Sequence, residues 1–281
     1  MASENGSEAN HWKVQTPQNA LNEIKTSEIE LPEQYELLGK LNQGAMGAVY
    51  KAKNRYTEAK FAIKVLKPEC ANDAETRQRF ILEAKASSTL KHPQICEVFD
   101  FGCMANGMLF LVMQWIDGIS LQSMIDKDGP LPAKEALPLF IQIASALGHA
   151  HKHKIIHRDL KPANVMLSGS HDGKINVHIV DFGIAKVLSD EEDAANRSAL
   201  TRTGIVLGTP LYMSPEQSRG KSLNQRSDIY ALGCLIYFVL TGHPPFEGDG
   251  LMDTMYKHIH EPPPDFDASI PVPEDLKLIM L

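Results

Sequence analysis

The sequence predicts an α+β fold, and three observations support this prediction. Short apolar runs at residues 61–64, 109–115 and 175–180 have the length and composition of β-strands. Residues 136–147 carry apolar side chains at intervals of four, three and four, which is the spacing of one helix face. The longest apolar run, Ala231 to Leu240, suits a buried helix, because it is about half of the ~20 residues that cross a bilayer.

Composition indicates an ordinary globular chain. The 281 residues are 43% hydrophobic with a formal net charge of −7, enough material for one large domain or two lobes. No basic block is present, which argues against nucleic acid as the main partner. The four cysteines are scattered and no signal peptide is evident, so we expect reduced thiols in a cytoplasmic protein.

The first residues differ from the rest. Residues 1–31 are polar and lack sustained periodicity, so we expect a disordered tail, with the folded part at 32–281. Further on, Gly44 and Gly47 lie between strand-like runs, where glycine permits a tight bend and a close approach of the backbone to a phosphate. Two glycines three residues apart are more often a plain turn, so this pattern is weak on its own.

The segment His157 to Leu167 contains the residue types that phosphoryl transfer needs. That reaction requires a carboxylate to accept a hydroxyl proton, a cation near the γ-phosphate and an amide oxygen on a metal ion. Asp159, Lys161 and Asn164 supply these groups in that order. A polar turn before a strand is the alternative interpretation, so the assignment depends on partner motifs elsewhere in the chain.

Together these stretches resemble the catalytic domain of protein kinases, in particular the eukaryotic-like serine/threonine kinases of bacteria. The catalytic loop of that family matches His157-Arg158-Asp159 to Asn164, and Lys161 is typical of the serine/threonine branch. The resemblance covers about residues 35–281. It implies two lobes: a small β-rich N-lobe at about 32–113, a hinge at about 114–118, and a larger, mainly helical C-lobe at about 119–281.

The resemblance also implies a nucleotide site in the N-lobe and hinge. Asn42 stands where the family has its first loop glycine, and Asn tolerates a left-handed backbone, so the turn remains feasible. Lys64 would hold the α- and β-phosphates and pair with Glu83, although such residues are usually surface charges. Val49 and Ala62 would cover the adenine. The other nucleotide contacts would come from Leu41, Gln43, Gly44, Ala45, Met46, Gly47, Ala48, the gatekeeper Met113, Gln114, Trp115 and Met166.

Asp181-Phe182-Gly183 follows the strand predicted at 175–180 and resembles the metal-binding motif of the family. This tripeptide is common, but here it lies twenty-two residues after Asp159, which gives it weight. The resemblance implies that Asp181 and Asn164 ligate a metal ion that bridges the phosphates. ATP would be the phosphoryl donor, and Mg²⁺, or alternatively Mn²⁺, the ion.

The segment before Glu216 resembles the activation segment, with Ser214 in place of the usual Ala of Ala-Pro-Glu. Thr201 and Thr203 are expected to be regulatory phosphorylation sites, and Arg158 to receive the phosphate. The alternative is that both are ordinary loop hydroxyls. In the family the partner of this glutamate is an arginine that falls beyond residue 281, so we expect an incomplete C-lobe and a longer polypeptide.

Two features of the helices complete the pattern. Asp228 matches the family residue that binds the catalytic-loop backbone, and an aspartate at a helix start also suits the helix dipole. His149, His151 and His153 end the long helix, and His149 and His153 are one turn apart. A metal site there is conceivable, but without an accompanying Cys or carboxylate we expect solvated or capping histidines.

The sequence therefore predicts an ATP-dependent serine/threonine protein kinase. Asn42 and the incomplete lobe motivate one alternative, a nucleotide-binding pseudokinase module. A small-molecule kinase of the aminoglycoside or choline type is less favoured, because it would lack the segment at 208–216 that seats a protein substrate. Expected partners are protein substrates, ATP and a second copy for autophosphorylation, with no nucleic acid and no membrane segment in this chain; a membrane tether in a missing part stays open.

Overall fold

The computed structural model describes residues 29–44, 47–67, 73–169, 173–182 and 210–280. Several predicted sites lie outside these residues: Ala45, Met46, Thr201 and Thr203, together with the tail at 1–28. The backbone of Glu83 belongs to a helix, but its side chain is also outside the description.

An antiparallel five-stranded sheet and one helix form the N-terminal part. The sheet has the order β1-β2-β3-β5-β4, so β3 separates β2 from β5. The helix begins after Asp73, whose carboxylate accepts a hydrogen bond from the Thr76 amide at 2.8 Å and caps the first turn. The elements are β1 (Tyr35–Gln43), β2 (Gly47–Asn54), β3 (Lys60–Leu66), α1 (Ala74–Thr89), β4 (Val98–Cys103) and β5 (Leu109–Gln114).

The two faces of this sheet bury different cores, because successive side chains of a strand point to opposite faces. One face packs Tyr50, Ile63 and Val112 into a cluster of its own. The other face, which we name the cleft face, carries Val49, Ala62, Leu111 and Met113 and packs against Phe80 and Ala84 of α1 and Met166 of the second lobe. The predicted helix at 73–90, with Phe80 and Ala84 on one side, is confirmed.

The glycine at position 47 is explained by strand packing. A Cβ on Gly47 would lie 2.3 Å from the Val65 carbonyl oxygen of β3, so a side chain would push β2 and β3 apart. Asn42 continues strand β1 without a left-handed backbone, and its side-chain oxygen accepts a hydrogen bond from the Gln43 amide at 2.7 Å. The conformational tolerance expected of Asn42 is therefore not used.

The second lobe is mainly helical and contains a small three-stranded sheet of order β6-β7-β8. The predicted helix stripe is confirmed: Ala136, Phe140, Ile143 and Leu147 are all buried on one face of α3. The elements are β6 (Gly118–Ser120), α2 (Leu121–Asp128), α3 (Ala133–Lys152), a 3₁₀ turn (Pro162–Asn164), β7 (Val165–Gly169), β8 (Ile175–Ile179), a second 3₁₀ turn (Pro210–Tyr212), α4 (Pro215–Ser218), α5 (Gln225–Thr241), α6 (Leu251–His260) and α7 (Glu274–Met280).

Helix α5 is the centre of this lobe. It is buried from Ala231 to Leu240 except at its one glycine, Gly233, and it ends at Gly242, which has the left-handed φ of 84° expected of a helix-stopping glycine. The helix packs against α3 and joins the same core as the β7-β8 strands. Across the described residues, no helix combines the length and hydropathy that a membrane span requires.

Helix α6 is tied to α5 through a buried histidine. His258 is only 3% exposed, the Tyr230 hydroxyl lies 2.7 Å from its Nδ1, and the Phe246 ring lies 4.9 Å from its own ring. Burial lowers the pKa of His258 to about 4, while nearby carbonyls of Pro210 and Leu211 oppose that shift. The imidazole is therefore neutral in the folded protein at neutral pH.

This histidine should make the fold sensitive to acid. Between pH 6.5, where an unfolded histidine titrates, and pH 4, the unfolded chain binds more protons than the folded one, so stability falls as pH is lowered. The shift corresponds to a loss of about 3 kcal/mol in the free energy of unfolding across that range. Urea unfolding at pH 7.5, 6 and 5 measures it. His258→Gln should flatten the pH slope, whereas His260→Gln, at an exposed position of the same helix, should leave it unchanged; equal slopes for parent and His258→Gln would contradict the assignment.

Candidate active site

The segment between α3 and β7 is held by one carboxylate on α5. Asp228 accepts hydrogen bonds from the backbone amides of His157 at 2.8 Å and Arg158 at 2.9 Å. The predicted contact of Asp228 with the catalytic-loop backbone is confirmed. The His151 Nε2 also lies 2.7 Å from this carboxylate, so the expectation of a solvated or capping role is wrong for His151.

The Asp228 carboxylate is ionised although only 1% of the residue is exposed. Burial raises its pKa, but the hydrogen bond with His151 and the hydrogen bonds from the two backbone amides act against burial and lower the pKa below its usual value. A buried carboxylate with several donors is a strong anchor, because each donor would lose its partner if the loop moved.

His157 connects the same loop to the segment after β8. Its Nε2 lies 3.2 Å from the Val180 carbonyl, and its Nδ1 accepts a hydrogen bond from the Asp159 amide at 3.3 Å. The ring also packs against Phe182 with centroids 4.6 Å apart. Complete burial lowers the pKa of His157, which fits a neutral ring that donates from Nε2 and accepts at Nδ1.

The three residues predicted to act on the phosphate form one hydrogen-bonded group. The Lys161 ammonium lies 2.8 Å from Oδ2 of Asp159. The Asn164 amide donates to the same oxygen at 3.1 Å and to the Asp159 carbonyl at 2.9 Å. These bonds use the nitrogen of Asn164, so its amide oxygen remains available as a ligand.

A second group crosses the cleft between the lobes. Nζ of Lys64, on the cleft face of β3, lies 2.9 Å from Oδ1 of Asp181. The Lys64 side chain is 18% exposed and that of Asp181 35% exposed, so the pair is partly screened by water. Asp181 has a left-handed φ of 56° and Arg158 one of 64°, a conformation in which non-glycine residues are strained.

The two groups supply oxygen ligands that suit a hard divalent cation. The Asn164 amide oxygen and the second carboxylate oxygen of Asp181 are the ligand type that such cations prefer. The residues present therefore fit the metal ion that the resemblance implies. A small depression at this site is lined by Asp159, Lys161, Tyr212, Met213 and Gln217, among others.

The apolar residues predicted for the adenine lie together. Val49, Ala62, Met113 and Met166 belong to one cluster at the cleft face, roofed by the sheet and floored by β7. Trp115 follows β5 and is partly buried. The other nucleotide-contact residues of the first hairpin, apart from Ala45 and Met46, lie in β1, β2 or the turn between them.

The helix that follows the second 3₁₀ turn gives the site a support that sequence reasoning missed. The Gln217 side-chain amide donates to the Arg158 carbonyl at 3.0 Å, which joins α4 to the catalytic loop. Glu216, whose expected arginine partner falls beyond residue 281, accepts a hydrogen bond from Ser227 at 2.5 Å. Burial raises the pKa of Glu216, but this hydrogen bond, others from its own amide and Ser214, and the charge of Arg219 lower it overall.

Two of the three histidines at the end of α3 form a small ring cluster with His92. The ring centroids of His92 and His149 are 5.0 Å apart, and those of His149 and His153 are 4.5 Å apart. Nδ1 of His153 lies 2.9 Å from the His149 carbonyl, as expected of a capping histidine. No group of three potential metal ligands is found among the described residues.

Comparison with known proteins identifies the class to which this arrangement belongs. Residues 35–277 match the family model described as protein kinase domain. The chain therefore belongs to the protein kinase domain family, whose members use ATP and a divalent metal ion.

The relatives are bacterial serine/threonine kinases. The chain is 38% identical to Serine/threonine-protein kinase PknB of Mycobacterium leprae over 241 residues, 85% of this chain and 37% of PknB. It is 40% identical to pkn3 of Myxococcus xanthus over 82% of this chain and 42% of pkn3. It is 38% identical to PrkC of Bacillus subtilis over 88% of this chain and 36% of PrkC. The chain thus spans less than half the length of these relatives.

A solved structure agrees with the fold. The crystal structure of the Mycobacterium tuberculosis PknI kinase domain, a double mutant, superimposes on this chain with a TM-score of 0.60 and 32% sequence identity. The match covers 76% of this chain and 77% of the PknI chain. The two-lobed kinase fold predicted from the sequence is therefore confirmed: an antiparallel five-stranded sheet in the N-lobe and a helical C-lobe.

The anchoring role of Asp228 can be tested by Asp228→Asn. The amide nitrogen cannot accept a hydrogen bond, so one loop amide or His151 would be left without its acceptor in a buried place. We expect the free energy of unfolding to fall by about 2–4 kcal/mol, measured by urea denaturation at pH 7.5. Asp117→Asn, at an exposed position, is the control and should change stability by less than about 0.5 kcal/mol. Equal midpoints for the two variants would contradict the anchoring role.

Proposed function

We propose that this domain transfers the γ-phosphate of ATP to serine or threonine hydroxyls of proteins, with Mg²⁺ as the metal ion. One observation carries the proposal: the bonded group of Asp159, Lys161 and Asn164 faces the cleft that the Lys64–Asp181 pair crosses. The names of the bacterial relatives, all serine/threonine-protein kinases, favour the same reaction.

Asp159 is the proposed proton acceptor. In the step, the substrate hydroxyl oxygen forms a bond to the γ-phosphorus, the bond from that phosphorus to the β-γ bridging oxygen breaks, and the hydroxyl proton passes to the Asp159 carboxylate. The bonds from Lys161 and Asn164 to Oδ2 orient this carboxylate. Lys161, which contacts Asp159, would also neutralise charge on the transferred phosphoryl group.

Asn164 and Asp181 are the proposed metal ligands. Mg²⁺ prefers oxygen ligands and, when bound, neutralises charge on the β- and γ-phosphates. For both residues, the oxygen atoms left over by the hydrogen bonds described above are free to take this role. Lys64 would then turn from Asp181 to the α- and β-phosphates, with Glu83 as its proposed helix partner.

The nucleotide base would lie between the cleft face of the sheet and β7. Val49 and Ala62 would cover it, Met166 would lie below it, and Met113 would close the inner end. The backbone of Gln114 and Trp115 would face its polar edge. The first hairpin, residues 41–49, would cover the phosphates, and the packing requirement at Gly47 keeps this hairpin close to β3.

The remaining assignments extend beyond the site itself. The kinase domain would comprise residues 32–281, with the N-lobe, hinge and C-lobe boundaries given above. Autophosphorylation between two copies, a cytoplasmic location and protein substrates are proposed for the whole protein. The names of the longer bacterial relatives, serine/threonine-protein kinases, support protein substrates.

Asp159→Asn tests the proposed chemistry. Asn keeps the shape and one acceptor oxygen but cannot take up the proton, so phosphate transfer should fall by about 10²-fold or more. The measurement is transfer of ³²P from ATP to the protein itself and to casein, with ADP affinity measured by calorimetry. ADP affinity should stay within about threefold of the parent, because Asp159 acts on the hydroxyl. Transfer at the parent rate would remove the role from Asp159; a parent that binds nucleotide but transfers nothing would favour a pseudokinase.

Thr201 and Thr203 are proposed to be regulatory phosphorylation sites. They lie between Asp181 and Glu216, and a phosphate there carries charge that an arginine such as Arg158 can bind. Thr201→Ala together with Thr203→Ala should lower casein phosphorylation by about tenfold. Ser198→Ala, in the same segment, is the control and should retain the parent rate. Unchanged activity of the double variant, with neither residue phosphorylated in the parent by mass spectrometry, would contradict the proposal.

A further inference from the structure

A lysine on β2 lies over the tryptophan that follows β5. Nζ of Lys51 is 4.3 Å from the ring centroid of Trp115, well within the range of a cation–π contact. Lys51 lies two residues after Val49 in the same strand, so both side chains point from the cleft face of the sheet. On this face Lys64 lies at the inner end beside Asp181, and Lys51 lies farther out, level with Ala62.

The contact joins two strands of the nucleotide cleft that are not neighbours in the sheet. Strands β2 and β5 are not neighbours, because β3 lies between them. Lys51, Ala62 and Met113 form one row across the three strands. Since Ala62 has only a methyl group, the long Lys51 side chain can pass over β3 and reach Trp115, two residues beyond Met113.

Lys51 differs in this respect from the next lysine of its strand that points to the same face. Lys53 forms ion pairs with Glu58 at 3.0 Å and Glu36 at 3.7 Å, the usual behaviour of a strand lysine near the surface. Lys51 forms no ion pair with a carboxylate of the described residues, and its ammonium lies on the indole face instead.

Trp115 is held in place although its polar atom is not satisfied. The indole Nε1 is buried and, within the part of the chain that the structure describes, has no hydrogen-bond partner. An unsatisfied buried donor disfavours this orientation of the ring. Packing and the contact with the Lys51 ammonium must therefore hold the indole ring at the outer end of the cleft.

We propose that Lys51 is a positioning residue for the nucleotide: through its contact with Trp115 it fixes the position of β2 relative to the hinge. The inference rests on the proposed ATP site between Val49, Ala62 and Met166. Loss of the Lys51 charge releases the Trp115 ring and widens the outer end of that site. Nucleotide then binds more weakly, while Asp159, at the other end of the cleft, works at its normal rate once the nucleotide is bound.

The experiment uses the full chain carrying Trp12→Phe, so that Trp115 is the sole tryptophan of the two in the sequence. Lys51→Met keeps the apolar stem and removes the charge, whereas Lys51→Arg keeps a cation that stacks on an indole. Lys60→Met, at an exposed position of β3, is the matched control. For each protein we would measure the ADP dissociation constant, the ATP KM and kcat with casein, and the emission of Trp115 with its quenching by acrylamide.

The expected result is a division between binding and turnover. Lys51→Met should raise the ADP dissociation constant and the ATP KM by about two- to tenfold, leave kcat within about twofold, and increase acrylamide quenching of Trp115. Lys51→Arg should restore the parent values, and Lys60→Met should match the parent throughout.

Other outcomes would overturn the proposal. Nucleotide affinity equal to the parent in Lys51→Met, even with altered Trp115 emission, would mean that the contact does not position the nucleotide. A fall in kcat with unchanged KM would assign Lys51 a different role. If the parent itself binds no ADP or ATP, the proposed function fails together with this inference. If the parent binds nucleotide and transfers phosphate, but Lys51→Met binds nucleotide as tightly as the parent, the inference alone fails.

Discussion

The site depends first on one buried carboxylate. The loop from His157 to Lys161 has no regular secondary structure, so its backbone amides need partners from elsewhere. Asp228 provides them for His157 and Arg158, and it projects from the most deeply buried helix of the C-lobe. The position of Asp159 is therefore set by the core of α5. The side chain of Gln217 on α4 also holds the loop, because it donates a hydrogen bond to the Arg158 carbonyl.

Charge is divided between the lobes around this anchored loop. The sheet contributes Lys64 and Lys51, whereas the C-lobe contributes the carboxylates of Asp159 and Asp181 together with Lys161, which is bonded to Asp159. The Lys64–Asp181 bond links the two lobes directly. A polyanion entering the cleft attracts the lysines and repels the carboxylates, so it must exchange this bond for new ones or bring a cation with it. A divalent metal accompanying a nucleotide meets that requirement.

Local patterns in the sequence predicted most of the fold. The stripe on α3 and the buried part of α5 follow from side-chain spacing and composition, which neighbouring residues determine. The contact of Asp228 with the loop was also predicted, but only through the family resemblance, because seventy residues separate Asp228 from Arg158. His151 was missed for a related reason: its partner is distant in sequence and nothing local distinguishes it from a solvated histidine.

Two other differences show what a motif does not contain. Gly47 belongs to a glycine pattern associated with phosphate binding, yet the constraint on it comes from the carbonyl oxygen of Val65 on the neighbouring strand. Glu216 was expected to need an arginine, whereas a hydroxyl from Ser227 meets it at hydrogen-bond distance. Such contacts depend on the distance between elements after packing, which residue spacing along the chain does not specify.

The left-handed backbone at Arg158 and Asp181 limits how this domain can become more stable. A non-glycine residue in that region costs about 1–2 kcal/mol, and glycine would remove the cost at either position. Glycine would also delete a guanidinium or a carboxylate at the cleft. Substitution by glycine, a simple way to remove backbone strain, is therefore not open to selection or engineering for heat resistance at these two positions. Variants adapted to high temperature should keep both residues and acquire their added stability from the helical core or from surface loops.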